Sequence, residues 1–258
     1  MRYLRPNKDD NKIYYYCKLS TALEFILPYP RLLLGPIINT NDPRENKSPL
    51  FTYNNNQNGA SVDLFDLNEK CNLALKEDCK IICFSKDYKN YQGCHLSKMW
   101  AHYGDNHKGI CLEIDRQLFI KDNLEIIKNN IFKEIIYAKP YHMNRSTQLN
   151  VNLQSYHIEE NLKYLRKDFR QNNSDQLYFT KNDEWEAESE VRLVVFSEIK
   201  ENEYCSIESS LKQIHLGVDF HDSYLPAVEH FSKNRYLSRI RFLNEALISQ
   251  SVRNRNFS

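Results

Sequence analysis

Between Glu184 and Val195 the chain reads Glu-Trp-Glu-Ala-Glu-Ser-Glu-Val-Arg-Leu-Val-Val, and most of its chemical potential is concentrated here. Side chains alternate along a strand, so Val191, Leu193 and Val195 share one face while Glu188, Glu190 and Arg192 share the other. The first face is apolar and β-branched, fit for a core. The second sets two carboxylates and a guanidinium in register, with Trp185 just upstream. A row of this kind looks like the floor of an active site, and the β-branched run that follows should hold its backbone rigid. The bland alternative is a solvated strand face whose charges pair with one another.

Other residue types add to this row. Trp100, Tyr103 and Trp185 offer rings against which a planar ligand could stack, set against plain core packing for both tryptophans. His102 could donate to a phosphate or an amide, although a lone His beside aromatic residues commonly has a structural role. Asn41-Asp42-Pro43 reads as a turn, because Asn and Asp hydrogen-bond their own backbone there. Cys94, His102, His107 and Cys111 supply metal-ligand types within a short span, but their C-x₇-H-x₄-H-x₃-C spacing matches no standard zinc arrangement. A second enzyme class, a metal-dependent nuclease built on Asp42, Glu188 and Glu190 around magnesium, also stays open, although no P-D…E-x-K pattern is present. The third class is a binding module. Lys233, Arg235, Arg239, Arg241, Arg253 and Arg255 give the C-terminal segment a local basic bias suited to nucleic acid or an acidic partner.

Composition narrows these classes. The chain has 258 residues, 41% hydrophobic and 27% charged, with a net charge of +1, so no global basic field draws it to nucleic acid. Six glycines, with neither G-x-G-x-x-G nor G-x-x-x-x-G-K-[ST], argue against a Rossmann dehydrogenase and a P-loop enzyme. Seven cysteines, an odd number irregularly spaced, fit reduced thiols in the cytoplasm. No segment approaches a membrane span, and Met1-Arg2-Tyr3 runs straight into structured-looking sequence without a leader.

The elements that must position the row follow from pattern. A short strand is expected at 2–5, a helix from Ser20 to Leu27 ended by Pro28 and Pro30, and extended segments at 31–34 and 36–38. Residues 44–60 read as a polar, Asn-rich loop. A helix at 62–75 leads to a buried strand at 80–85. Strands are expected at 110–114, 131–138, 212–216 and 238–243, with helices at 156–172 and 223–233. The former helix has Glu159 and Lys163 at pairing distance. No repeat or linker appears, so residues 1–258 are expected to form one α+β domain with a basic tail at about 250–258.

Several pieces together resemble a large bacterial family of unknown function: Tyr3-Leu4-Arg5-Pro6, Asn41-Asp42-Pro43, Cys83-Phe84-Ser85, Met99-Trp100-Ala101-His102-Tyr103 and Trp185-x-x-Glu188-x-Glu190-x-Arg192, in order over residues 3 to about 217. A more distant resemblance supplies an activity. The strand-helix-strand opening over 3–38, Phe84-Ser85 and Glu188-Ser189-Glu190 resemble the ADP-ribosyltransferases, including their DNA-modifying toxin branch. The resemblance implies split, mostly antiparallel central sheets flanked by helices, and NAD as substrate without a metal. In this reading Glu190 stabilises the oxocarbenium ion, Glu188 orients or deprotonates the acceptor, and Arg192 fixes Glu190 or reaches a phosphate. Arg5, Ser85, Trp100, His102, Tyr103 and Trp185 would line the NAD site. The acceptor would be a macromolecule (DNA, RNA or protein), in the setting of a toxin or phage-defence effector with an antitoxin or defence-system partner.

Overall fold

The computed structural model describes residues 11–42, 45, 51–53, 64–139, 149–151, 162–233, 235–243 and 246–252. In chain order the strands are β1 (Lys12–Cys17), β2 (Arg31–Leu33), β3 (Gly35–Pro36), β4 (Phe51–Tyr53), β5 (Cys79–Ser85), β6 (Ile110–Asp115), β7 (Ile131–Glu134) and β8 (Ile136–Ala138). They continue with β9 (Leu149–Val151), β10 (Thr180–Asn182), β11 (Glu190–Phe196), β12 (Tyr204–Ser206), β13 (Leu211–Leu216), β14 (Tyr236–Leu243) and β15 (Ala246–Ser251). Among the described residues, nine of them form a mostly antiparallel central sheet in the order β15-β14-β13-β6-β1-β5-β11-β7, with β3 added to β5. The pairs β10–β8, β12–β2 and β4–β9 lie off it.

This sheet is divided at its middle. β1 pairs with β6 through all six of its residues, and β5 pairs with β11 through all seven. Between β1 and β5, by contrast, there is one register pair, Tyr14↔Ser85. Beyond it the strands diverge as a wedge, and β3 takes up the same edge of β5 further along, at Gly35↔Ile81 and Pro36↔Lys80. The α+β class and the mostly antiparallel sheet flanked by helices are therefore as the sequence implied.

Apolar alternation fixes what packs where. Val191, Leu193 and Val195 are buried on the face covered by residues of the segments at 19–26, 116–122 and 225–232, including Ile26, Phe119 and Val228. Val194 points the other way, into a second cluster with Leu75, Leu165, Phe169 and Tyr178. Tyr14, Tyr16, Met99, Trp100 and Cys111 form a third cluster with Ile240 and Leu247. The segment after β1 is a π-turn, Ala22–Ile26, closed by Leu27 N–H donating to the Ala22 carbonyl at 2.9 Å.

Several expectations are corrected. The first described strand is Lys12–Cys17, whose Tyr-Tyr-Tyr run lacks the polar–apolar alternation of a one-sided strand; the expected strand at 2–5 lies outside the described residues, with Arg5. The expected strand at 131–138 is two strands in different sheets, β7 on β11 and β8 on β10. The loop at 44–60, largely outside the described residues, contains β4. β15 occupies part of the expected tail, while Arg253 and Arg255 lie outside the described residues. Glu159, of the expected Glu159–Lys163 pair, does too. Residues 36–38 are not extended throughout, since Ile37–Asn39 is a 3₁₀ turn.

Two glycines allow backbones to approach closely beside β6. A methyl group at Gly109 would collide with the Cys17 carbonyl, and one at Gly217 with the carbonyl of His107. Backbone cannot rotate away as a side chain can. Gly109→Ala and Gly217→Ala are each expected to destabilise the fold by about 1–3 kcal/mol, read as a lower urea midpoint with an unchanged slope.

Candidate functional site

The wedge between β1 and β5 encloses a cavity of about 660 Å³, lined on one side by Tyr14, Tyr15 and Tyr16 and on the other by Ile81 to Ser85. This is the volume of a small-molecule site. At its apex the register pairs Ser85 with Tyr14 on one edge and with Glu190 on the other. Glu190 therefore sits where the sheet divides.

A connected set of buried charges forms the floor. Glu190 accepts from Arg192 Nε at 2.6 Å through Oε1 and from Lys181 Nζ at 2.7 Å through Oε2. Lys181 also reaches Glu188 Oε2 at 3.0 Å, and Tyr103 donates its hydroxyl to Glu188 Oε1 at 2.7 Å. Arg192 Nη1 donates to Glu45 Oε1 at 2.7 Å and to the Tyr178 carbonyl at 2.8 Å. The Glu190 N–H donates to the Tyr137 hydroxyl at 2.9 Å. Three carboxylates thus face two cations, and a third cation, buried Lys76, lies within electrostatic reach of Glu45.

The same contacts set the protonation states. Burial alone would push the Glu190 carboxyl up, but Arg192 and then Lys181 more than offset it and hold the group well below its ordinary 4.5. Burial would lower Lys181, and Glu190, Glu45 and Glu188 raise it instead. Both groups therefore stay charged. Arg192 Nη2, Ser85 Oγ and Glu45 Oε2, all from residues that line the cavity, are buried without a hydrogen-bond partner among the described residues. Unpaired buried polar groups cost about 1–3 kcal/mol each, a cost that the ion pairs of this wall must offset.

Of the residues singled out in the sequence, Glu188, Glu190, Arg192, Ser85 and Tyr103 meet at this cavity. Glu188 arrives differently from expectation. It ends a 3₁₀ turn, Asp183–Glu188, and left-handed Ser189 (φ 47°) separates it from β11, which begins at Glu190. Glu188 and Glu190 therefore converge through Lys181, not through strand alternation. Trp100 is fully buried in the third cluster, donating to the Cys94 carbonyl at 2.8 Å, and does not line the cavity. His102 is exposed on the short helix Ser97–His102, away from it. Trp185 also lies off the lining, with Lys181 Nζ over its ring at 5.7 Å. Arg5 is outside the described residues.

Asp42 is buried off the cavity lining, so it does not join Glu188 and Glu190 there. Among the described residues no three His, Cys, Asp or Glu side chains converge as a metal-binding group. His215 is held by Glu113 at 3.3 Å and Ser238 at 2.7 Å, and Cys94 Sγ lies 3.9 Å from both Gln92 Oε1 and Ser249 Oγ. Burial would raise this thiol, yet His215 and His95 bring it down to about 6. The C-terminal basic residues are partly neutralised: Lys233 and Arg235 pair with Glu208, and Arg239 with Asp222. Among the described residues no helix is long and apolar enough to cross a membrane.

Sequence reasoning missed Lys181, Glu45 and the β1 tyrosines. Lys181 carried one available signal, as a cation just upstream of the acidic run Asp183 to Glu188.

Residues 99–193 match the model of a family described as a protein of unknown function (DUF2971). The expected resemblance to a family of unknown function is met over that stretch, which includes Tyr103, Lys181, Glu188, Glu190 and Arg192. No curated protein and no solved structure matches the chain.

Lys181 holds two buried carboxylates, so Lys181→Met leaves Glu188 without a cation among the described residues and Glu190 with Arg192 alone. The expected loss is about 3–5 kcal/mol, measured by chemical denaturation at neutral pH. Glu190 has a folded pKa below its unfolded 4.5. Its contribution is therefore full above 4.5 and lost as pH falls below that value. Glu190→Gln is expected to flatten this acid limb of the stability–pH curve.

Proposed function

We propose that the protein is an ADP-ribosyltransferase-like enzyme that uses NAD as substrate and modifies a macromolecule. The observation that carries this reading is the apex of the cavity, where the Glu190 and Glu188 carboxylates converge on Lys181. Such an apex favours a ligand that is cationic or becomes so. NAD meets both conditions, through its pyridinium ring and the ribosyl cation formed when that ring leaves.

In this reading, Glu190 is fixed by Arg192 and Lys181, and a free lone pair on its carboxylate faces the ribose and stabilises the oxocarbenium-like transition state. The bond between the nicotinamide nitrogen and the ribose carbon breaks, and its electron pair leaves with neutral nicotinamide, so no acid is needed. The acceptor's nucleophile bonds to the same carbon, and its proton passes to Glu188. Tyr103 and Lys181 orient Glu188 for that transfer. Lys181 and Arg192 act as positioning residues. The acceptor class and a toxin or phage-defence setting rest on the resemblance carried by Phe84-Ser85 and Glu188-Ser189-Glu190.

The test is NAD binding and turnover by the full chain. Glu190→Gln keeps the shape of the side chain and removes the charge. It is expected to lower turnover on the order of a hundredfold or more while NAD still binds. Glu188→Gln is expected to impair transfer to an acceptor more than release of nicotinamide. If NAD neither binds nor is consumed, the reading fails.

A further inference from the structure

The cavity has a second end, chemically unlike the first. From Ser85 at the apex to Ile81, where β3 closes the wedge, β5 runs four residues, or about 13 Å. At the far end the wall is aromatic, apolar and cationic. The π-turn projects Phe25 into the lining, with its ring 61% exposed, and Leu33 beside it is 43% exposed. Arg31 and Tyr204 both line this end. They are diagonal neighbours across the β2–β12 pair, in which Tyr204 opposes Leu33 and Ser206 opposes Arg31. The Arg31 guanidinium stacks over the Tyr204 ring at 3.9 Å from its centroid and lies 5.1 Å from that of Tyr29.

Two features of this end point to a ligand. Phe25 and Leu33 leave large apolar surface facing a cavity, where a flat ring would cover it. Among the described residues Arg31 has no carboxylate partner, and its guanidinium is held by the stack on Tyr204 instead. A stacked guanidinium whose charge is not already paired suits a phosphate oxygen.

We infer that this end is a subsite for a nucleobase carrying its 5′-phosphate: the base lies on the shelf of Phe25, Leu33 and Tyr204, and Arg31 contacts the phosphate. The inference deepens the dinucleotide reading above and rests on it for how the two ends are joined. Carboxylates at the apex and a guanidinium at the far end then match a ligand that is cationic at one end and phosphorylated towards the other.

The test is calorimetric titration of the full chain with AMP, alongside NAD turnover in the same variants. Wild type is expected to bind AMP at millimolar concentration. Arg31→Ala and Phe25→Ala are each expected to weaken that binding about tenfold and to raise the KM for NAD more than they lower kcat. Arg31→Lys keeps the charge but not the planar stack, and should recover only part of the loss. The exposed Phe25 ring can be truncated without opening the core, so a folding failure at Arg31 would not decide the outcome. AMP binding that is absent, or equal in all variants, would overturn the subsite even if NAD is turned over. Arg31-dependent AMP binding without NAD turnover would keep the subsite and sink the transferase reading. Arg31-dependent binding of single-stranded oligo-dA in preference to AMP would replace the mononucleotide with a nucleic-acid strand.

Discussion

The register between β5 and β11 is the constraint on which the site depends. β5 has one edge fully paired to β11 and another divided between β1 at Ser85 and β3 at Ile81. The undivided edge carries the precision. A slip of one residue would turn Glu190 and Arg192 to the opposite face and put Val191, Leu193 and Val195 among the charges. Burial of those three apolar side chains makes the slip prohibitive. The core therefore aims the carboxylate, and the divided edge supplies the space in front of it.

Placing five charged side chains in that wall demands compensation, and the structure supplies it by sharing. Lys181 serves two carboxylates, Glu190 serves two cations, and Arg192 joins Glu190 to Glu45. The desolvation of Lys181, Arg192, Glu190 and Glu188 is in each case offset by more than one partner, which an isolated buried pair does not achieve. The same sharing removes conformational freedom from the floor. Both Glu190 oxygens are held from opposite sides, so little reorganisation accompanies the appearance of charge in front of them.

The sequence disclosed those parts of this arrangement that are periodic. Alternation from Glu190 onwards identified β11 and its two faces, and short apolar runs identified β5 and β6. Glu188 shared the expected face by number alone, because a 3₁₀ turn and left-handed Ser189 precede the strand. Three consecutive tyrosines in β1 carry no alternation, since the strand is covered on both sides and opens onto the cavity at one edge. Lys181 and Glu45 reach the floor by tertiary placement, which leaves no local pattern. In the helix Ser97–His102 the sequence marked a cluster of candidates without ranking them. Packing sends Trp100 into the core and His102 into solvent, while the following Tyr103 reaches Glu188.

Tyr14 ties the two halves together. Its backbone makes the one register pair of β1 with β5, it lines the cavity, and its ring is 6.4 Å from the His215 ring centroid. Gly93 is tight against that ring, where any side chain would strike it. The apex is thus clamped from behind by a second charged cluster and a close backbone approach, while the far end of the wedge is bounded by a short strand, a π-turn and exposed aromatic rings. Rigidity at the charged end and adaptable apolar surface at the other divide the labour within one cavity. In the proposed reading, chemistry that needs fixed charges falls at Glu190, and recognition of a planar group falls at Phe25 and Tyr204.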